Sequence, residues 1–192
     1  MGVTHTQIDP SGFADEAIGH EGLRRVYRAW AALPRPAGIP AKADLDPTAI
    51  RGPLSHVALA EIETPFRVRY RLVGTGLVRL WGREVTNCYV DEVYPGAMAR
   101  VLMADYRRVV ESRQPLYTER VFNLLVTKLG YYRLMLPLTW KGSAADIVML
   151  AIFPLDAEFD TAEQWRELDE AQAYLASFPI EPLGQGGHGQ AA

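Results

Sequence analysis

The 192-residue sequence contains one cysteine and four histidines. A single thiol excludes an internal disulfide and is more typical of a reducing compartment than of a small secreted scaffold. The histidines show no metal-ligand spacing with one another or with other ligand types, so we expect no metal site. The first residues, MGVTHTQIDPSG, lack the basic stretch and apolar run of a signal peptide, and no apolar run is long enough to span a bilayer. These absences predict a cytoplasmic protein that is not inserted in a membrane.

The sequence also lacks an excess of positive charge and the motifs of common catalytic sites. Its net charge is −3 and its pI is about 5.8, so we expect no nucleic acid among its partners. There is no P-loop, no Gly-x-Ser-x-Gly elbow and no complete dinucleotide pattern, since Gly74-Thr75-Gly76 lacks the later glycine. The carboxylates of Asp91-Glu92 lie in a polar loop, where solvation explains them better than acid and base chemistry. We therefore predict that the protein is not an enzyme.

Apolar periodicity and turn residues divide the chain into five segments. The stretch EGLRRVYRAWAAL repeats apolar residues at the spacing of one helix face and ends before Pro34, which predicts an amphipathic helix. The stretch DTAEQWRELDEAQAYLASF begins with a capping-box spacing and predicts another near the C-terminus. The predicted segments are a disordered or mobile N-terminus (1–18), the first helix with a Pro-rich linker (19–53), a core (54–156), the C-terminal helix (157–180) and a flexible tail (181–192).

The core shows strand patterns on both sides of a helical part. In FRVRYRL apolar residues alternate with arginines, and Thr64-Pro65 marks a turn to the preceding strand. The stretch MARVLMADYRRVVESR has the spacing of a helix of about four turns. Three further strands follow in LYTERVFNLLV, YYRLMLPLTW and ADIVMLAIF. We therefore predict an α+β fold, with a five-stranded antiparallel sheet and a helical lid on one face.

This order of elements resembles the PAS domain, a sensory module with a five-stranded sheet and a helical lid. The stretches LPRPAGIPAKADLDPTAI, YRLVGTGLVRLWGREVTN and YRLMLPLT resemble, more narrowly, a bacterial branch of stand-alone PAS-like proteins. A Gly stands in that branch where this chain has Asn87, so the sequence departs from the pattern there. The resemblance implies a sensory, ligand-binding or protein-interaction module in bacterial signalling, without catalysis.

The lone cysteine raises the question of a flavin, because one class of PAS photosensor attacks its flavin with a thiol. That class uses Asn-Cys-Arg and a nearby Gln, whereas this chain has Asn87-Cys88-Tyr89 with no such Gln, and its later strands offer the single Asn123. Other PAS sensors bind haem through a His on the long helix, and residues 97–112 contain none. We therefore expect neither flavin nor haem, leave the cofactor unknown and interpret Cys88 as a packing residue.

The pocket enclosed by sheet and lid is the site that the resemblance implies. Aromatic residues supply apolar area with polar tips, and an arginine among apolar neighbours needs a partner, such as an anionic ligand. The candidate lining residues are Tyr70, Trp81, Arg83, Tyr106, Tyr132 and Arg133. Ordinary core packing is the alternative interpretation of each.

The amphipathic helices at the two ends predict a docking surface on the sheet face opposite the lid. We expect a homodimer and an unidentified signalling partner, with a ligand acting through its differential affinity for two arrangements of these helices. One alternative is a small cone-shaped α+β enzyme, such as an isomerase or cyclase, which needs a buried Asp or His facing a cavity. Another is a scaffold that binds no ligand.

Overall fold

The structure is a computed structural model and describes residues 2–7, 15–36, 38–94, 96–123, 128–142 and 144–155. Four helices are present in this part of the chain: α1 (Glu21–Ala31), α2 (Thr75–Trp81), α3 (Val90–Val93) and α4 (Ala97–Ser112). The strands are β1 (Gly2–Gln7), β2 (Val57–Glu63), β3 (Arg67–Val73), β4 (Leu116–Asn123), β5 (Lys128–Leu138) and β6 (Ile147–Pro154). The predicted C-terminal helix (157–180) and tail (181–192) lie outside the described residues.

The strands form one antiparallel sheet in the order β1-β4-β5-β6-β2-β3. Strands β2 to β6 are the five predicted from the sequence, two before the helical part and three after it, so the α+β fold with a five-stranded antiparallel sheet is confirmed. The last strand, β6, joins the two groups, because it pairs with β5 on one side and with β2 on the other. The sheet is therefore held together by backbone pairing between residues far apart in the chain.

A sixth strand, β1, extends the sheet at the edge of β4. Its backbone pairs with β4 from Gly2 opposite Val121 to Gln7 opposite Leu116. The polar and irregular sequence of residues 1–18 predicts a disordered or mobile end instead. The partner of β1, strand β4, lies more than 100 residues away in the chain. The unpaired backbone groups at the edge of β4 make this strand possible, and the local sequence of β1 does not reveal them.

The sheet separates two hydrophobic cores, and α1 covers the outer one. Leu23, Val26, Tyr27 and Trp30 of α1 are buried against β5 and β6, as its apolar spacing predicts. The Trp30 indole donates a buried hydrogen bond of 2.9 Å to the carbonyl of Pro137 in β5. On the other face, α2, α3 and α4 cover the inner core. None of the described helices is long and apolar enough to cross a membrane.

A β-bulge changes which face of the sheet the end of β3 presents. Ala60 pairs with Tyr70 and Leu59 with Leu72, so Arg71 is an extra residue on β3. Strict alternation predicts Tyr70 and Leu72 on one face. The bulge instead leaves Tyr70 in the inner core and turns Leu72 outward beside Leu59, where Leu72 is 46% exposed.

Two imidazole rings stack on Phe153 where β6 meets the start of α1. The ring centroids of His20 and Phe153 are 4.0 Å apart, and those of His56 and Phe153 are 4.4 Å apart. His20 also caps α1, since its Nδ1 accepts a 3.1 Å hydrogen bond from the backbone N–H of Gly22. Partial burial lowers the pKa of His20, and the nearby His56 and Arg24 lower it further, while Glu21 acts in the opposite direction.

This arrangement predicts an acid-sensitive contribution of His20 to stability. Because the folded-state pKa lies below the ordinary value of 6.5, the unfolded chain takes up a proton first as the pH falls. The contribution is complete above pH 6.5 and decreases below it. Replacement His20→Asn keeps a side-chain cap for α1 but removes the titrating ring. Urea unfolding at neutral pH and at about pH 5 should show a smaller acid loss in the variant than in the wild type; equal losses would contradict this assignment.

Candidate functional site

A small cavity lies in the inner core between the sheet and helices α2 and α4. Its volume is about 30 Å³, room for roughly two water molecules. The lining side chains are mostly aromatic or aliphatic and include one charged group; they are Tyr70, Trp81, Tyr94, Met98, Leu102, Tyr106, Tyr131, Arg133, Leu150 and Ile152. A ligand larger than a few non-hydrogen atoms therefore requires these side chains to move.

Four of the six predicted pocket residues meet at this cavity. Tyr70 reaches it from β3, Trp81 from the end of α2, and their ring centroids are 5.5 Å apart. Tyr106 enters from the middle of α4 and Arg133 from β5. These residues come from four elements spread over more than 60 positions of sequence, and the sheet order brings them together.

The other two predicted residues, Tyr132 and Arg83, lie elsewhere. Neighbouring residues of a strand point to opposite faces, so Tyr132 of β5 lies in the outer core when Arg133 faces the cavity. There its ring is 6.0 Å from that of His20. Arg83 is exposed, and its guanidinium donates to the carbonyl of Val93. Tyr131, two positions from Arg133, takes the cavity-facing place on β5.

A buried ion cluster adjoins the cavity and contains residues absent from the sequence prediction. Arg133 donates from Nη2 to Oδ2 of Asp105, and Arg120 donates to the same oxygen at 3.4 Å. Arg133 also donates to the hydroxyl of Thr118 at 3.3 Å. Arg133, Arg120 and Asp105 are only 2%, 4% and 7% exposed, and Thr118 is fully buried. The cluster ties α4 to β4 and β5 across the inner core.

The sequence carried one signal for this cluster. Asp105 follows Met98 and Leu102 at helical spacing and precedes Val109, so it lies on the apolar face of α4. A carboxylate in that position must find a cationic partner. The strand arginine that supplies the second partner, Arg120, looks in the sequence like an ordinary polar residue of an amphipathic strand.

The Asp105 carboxylate favours the charged form of Arg133 beside the cavity. Burial disfavours the charged form of Arg133, but the Asp105 carboxylate outweighs this effect and raises the pKa of Arg133. Burial raises the pKa of Tyr106, a shift that hydrogen bonding to Tyr70 opposes. Two guanidinium groups thus share one carboxylate, and the Nε atom of Arg133 has no hydrogen-bond acceptor among the described residues.

The loop that carries Cys88 is fixed to the edge of β3. Asn87 donates from its backbone N–H to the carbonyl of Tyr70 at 2.6 Å, and the carbonyl of Cys88 accepts from Tyr70 at 3.0 Å. Asn87 has φ of 68°, in the left-handed region that glycine adopts most readily. This conformation explains how Asn replaces the Gly of the resembling sequences. Cys88 is partly buried against the inner core and is not among the residues that line the cavity.

Tyr89 is held on the protein surface by charged neighbours. The Arg67 guanidinium lies 3.5 Å from the centroid of the Tyr89 ring, and that of Arg69 lies 4.3 Å away. The Tyr89 hydroxyl donates to Glu63 at 2.8 Å. Tyr89 therefore stabilises the loop from outside. Within the described residues, no group of three or more His, Cys, Asp or Glu side chains is arranged to hold a metal ion.

An apolar groove lies on the opposite face of the sheet, beyond the area covered by α1. Leu72 and Trp140 are its most exposed apolar members, at 46% and 47% exposure. Lys42 and Lys141 each place an ammonium group 4.7 Å from the Trp140 ring. We call this surface the outer groove; its lining residues are Lys42, Leu45, Pro47, Leu59, Arg71, Leu72, Trp140 and Ile147.

Comparison with known families gives one sequence match that spans most of the chain. A family model described as PAS domain matches residues 18–152. This range includes every residue of the cavity and of the ion cluster. No curated protein matches the sequence significantly.

Several solved structures are similar to this chain at low sequence identity. A LOV protein of Rhodobacter sphaeroides is 13% identical with a TM-score of 0.40, and the match covers 62% of this chain and 85% of that one. An RNA-binding light-oxygen-voltage receptor is 13% identical with a TM-score of 0.42, covering 77% of this chain and 43% of that one. A fungal LOV domain photoreceptor is 18% identical with a TM-score of 0.39, covering 72% and 94%.

The conformation of Asn87 gives a test of the loop geometry. Replacement Asn87→Ala should lower the free energy of unfolding by about 1 kcal/mol, because a Cβ without a polar group is disfavoured in the left-handed region. Replacement Asn87→Gly at the same site should leave stability unchanged or raise it. Chemical unfolding of the three proteins measures the difference; equal effects of Ala and Gly would contradict the assigned conformation.

Proposed function

Since this chain belongs to the PAS domain family, we propose that it is a non-catalytic sensory module that binds a small molecule in its inner cavity and signals through its outer sheet face. The family identity makes a sensory or interaction role the starting point. The finer proposal rests on one observation. A cavity lined by aromatic side chains contains a buried arginine with an unused donor atom, Nε of Arg133.

The composition of the cavity supports ligand recognition. Small-molecule sites combine apolar walls with a few polar groups that fix orientation. Here Trp81, Met98 and Leu102 supply apolar wall. Tyr70, Tyr106 and Arg133 add hydroxyl and guanidinium groups on three different elements. A ligand that contacts all three changes the packing of α4 against the sheet.

The bulge in β3 supports communication between the two faces. Tyr70 borders the cavity and Leu72 borders the outer groove, and only the bulged Arg71 separates them. A displacement of Tyr70 by a ligand therefore acts on Leu72 through two peptide units. Such a ligand shifts the equilibrium between two arrangements of the outer face, because it binds to one of them more tightly than to the other.

We propose that a second copy of the chain occupies the outer groove. Leu72 and Trp140 are large apolar side chains that lie nearly half exposed in one groove, which is a common feature of association surfaces. A two-fold interface buries the same patch on both copies, so each substitution acts twice. An unidentified signalling protein then recognises the change between monomer and dimer.

The enzymatic alternative needs a buried Asp or His at the cavity. Asp105 is buried, but two guanidinium groups bind its Oδ2 atom, and Asp105 is not among the residues that line the cavity. His20 and His56 stack on Phe153 outside the inner core. The described residues therefore favour recognition over proton transfer.

Substitutions at Leu102 test ligand binding in the cavity. Leu102→Phe adds volume to the cavity wall, which costs about 1–3 kcal/mol in a packed site and should reduce bound ligand by about tenfold or more. Leu102→Ala enlarges the space and should retain it. Freshly purified proteins are denatured, and the released compounds are quantified by mass spectrometry. If neither the wild type nor Leu102→Ala releases any compound, the ligand-binding proposal is wrong.

Substitutions at exposed leucines test association through the outer groove. Leu72→Lys places a charge in the groove and should convert a dimer to a monomer of 21.4 kDa. Leu54, 38% exposed and outside the groove, provides the matched control Leu54→Lys, which should remain dimeric. Light scattering over a range of concentrations gives the masses. A wild type that is monomeric throughout, or a dimer lost in both variants, would contradict the proposal.

A further inference from the structure

We propose that an acidic segment of this chain, residues 156–181, docks on the solvent-facing side of α4. The segment lies outside the described residues and includes the stretch that the sequence predicts to be a helix, 157–180. We call the docking surface the arginine face; it consists of Arg100, Met103, Ala104 and Arg107. This inference goes beyond the proposed function, because it concerns neither the inner cavity nor the outer groove.

The first argument is the uneven distribution of charge along the chain. Residues 156–181 contain eight Asp or Glu and a single basic residue, Arg166. Residues 1–155 contain 19 Lys or Arg and 15 Asp or Glu, so this part is formally positive although the whole chain carries a net charge of −3. Opposite charges on two parts of one chain favour their contact, because the covalent connection keeps the two parts at a high effective concentration.

The second argument is the composition of the arginine face. Arg100, Ala104 and Arg107 recur at helical spacing and are exposed, and Met103 lies partly buried beside them. Glu111, one turn after Arg107, lies 3.8 Å from it, but both side chains are more than half exposed, so this pair is weak. None of the described carboxylates forms an ion pair with Arg100. The face therefore offers positive charge to an acidic segment.

The third argument is the match in spacing between the two surfaces. Arg100 and Arg107 are seven residues apart, which places them two turns, or about 10 Å, apart on one side of α4. Glu163 and Glu170 have the same separation in the acidic segment, and Glu167 lies between them on the same side of the predicted helix. Two helices lying side by side can therefore bring two carboxylates to two guanidinium groups.

The fourth argument is the place where the segment leaves the sheet. Just after β6, the backbone N–H of Leu155 donates to the carbonyl of Gly130 at 2.9 Å. Ile152, near this end of β6, lines the inner cavity together with Leu102 of α4. The segment therefore begins close to α4 and needs few residues to reach it. The outer groove, in contrast, includes Ile147 at the other end of β6.

The experiment measures how fast chymotrypsin cleaves the full chain after Trp165, an aromatic residue inside the acidic segment. Mass spectrometry follows the release of residues 166–192. A synthetic peptide of residues 156–181 gives the rate for the segment without its docking surface. At low ionic strength the full chain should be cleaved about three- to tenfold more slowly than the peptide. High salt should reduce this difference, because it screens exposed charges. Equal rates at low ionic strength would overturn the proposal.

Charge reversal tests the assigned face, and each variant is compared with a peptide of its own sequence. Arg100→Glu combined with Arg107→Glu should remove the protection. Adding Glu163→Arg and Glu170→Arg should restore it, because the charges are then exchanged. Arg51→Glu changes an exposed arginine away from α4 and should keep the protection. Protection that is lost equally in this control, or not restored in the fourfold variant, would overturn the proposal.

The outcomes separate this inference from the proposed function. Trp165 and Leu168 give the segment apolar side chains, so the outer groove is the alternative docking site. If Leu72→Lys removes the protection and the substitutions on α4 do not, the segment docks in the outer groove and this inference is wrong. Protection that increases with protein concentration indicates docking on another copy and also contradicts it. The mass of Leu72→Lys and the ligand content of Leu102→Phe test the proposed function independently of the cleavage rate.

Discussion

The pairing of one buried carboxylate with two buried arginines is the constraint on which the inner half of this protein depends. Asp105 lies on α4, while Arg120 and Arg133 lie on the neighbouring strands β4 and β5. Removal of one member of such a pair leaves an uncompensated charge, at a cost of about 3–5 kcal/mol. The helix is therefore held to the sheet by a contact with defined geometry, in addition to apolar packing. The same contact determines which polar groups border the cavity, because Arg133 belongs to both.

The bulge at Arg71 is the second constraint, and it divides the end of β3 between the two faces of the sheet. A regular β3 would place both Tyr70 and Leu72 in the inner core and leave the outer groove without one of its apolar residues. With the bulge, the strand contributes an aromatic side chain to the cavity and an aliphatic one to the groove within three positions. The bulge therefore gives the outer groove its Leu72 while Tyr70 stays at the cavity.

The spacing of apolar residues predicted the helices and strands well, because it reflects the burial of one face of each element. It identified α1 and the strand division, and four of the six predicted pocket residues line the cavity. It failed where contacts between distant segments determine the outcome. Strand β1 requires the open edge of β4, Leu72 is turned outward by the bulge, and the buried role of Arg120 depends on a carboxylate that α4 places opposite it. Tyr132 was assigned to the same pocket as Arg133, although alternation along β5 places adjacent residues on opposite faces.

The alternation that separates Tyr132 from Arg133 also connects the two halves of the protein. Arg133 binds the ion cluster beside the cavity, while the next side chain, Tyr132, lies near His20 at the start of α1. Strand β5 further accepts the hydrogen bond from Trp30 of the same helix. A change in the position of Arg133 is thus transmitted by a single strand to both ends of α1. Because interiors are close-packed, such a shift changes the packing of the outer helix rather than being absorbed locally.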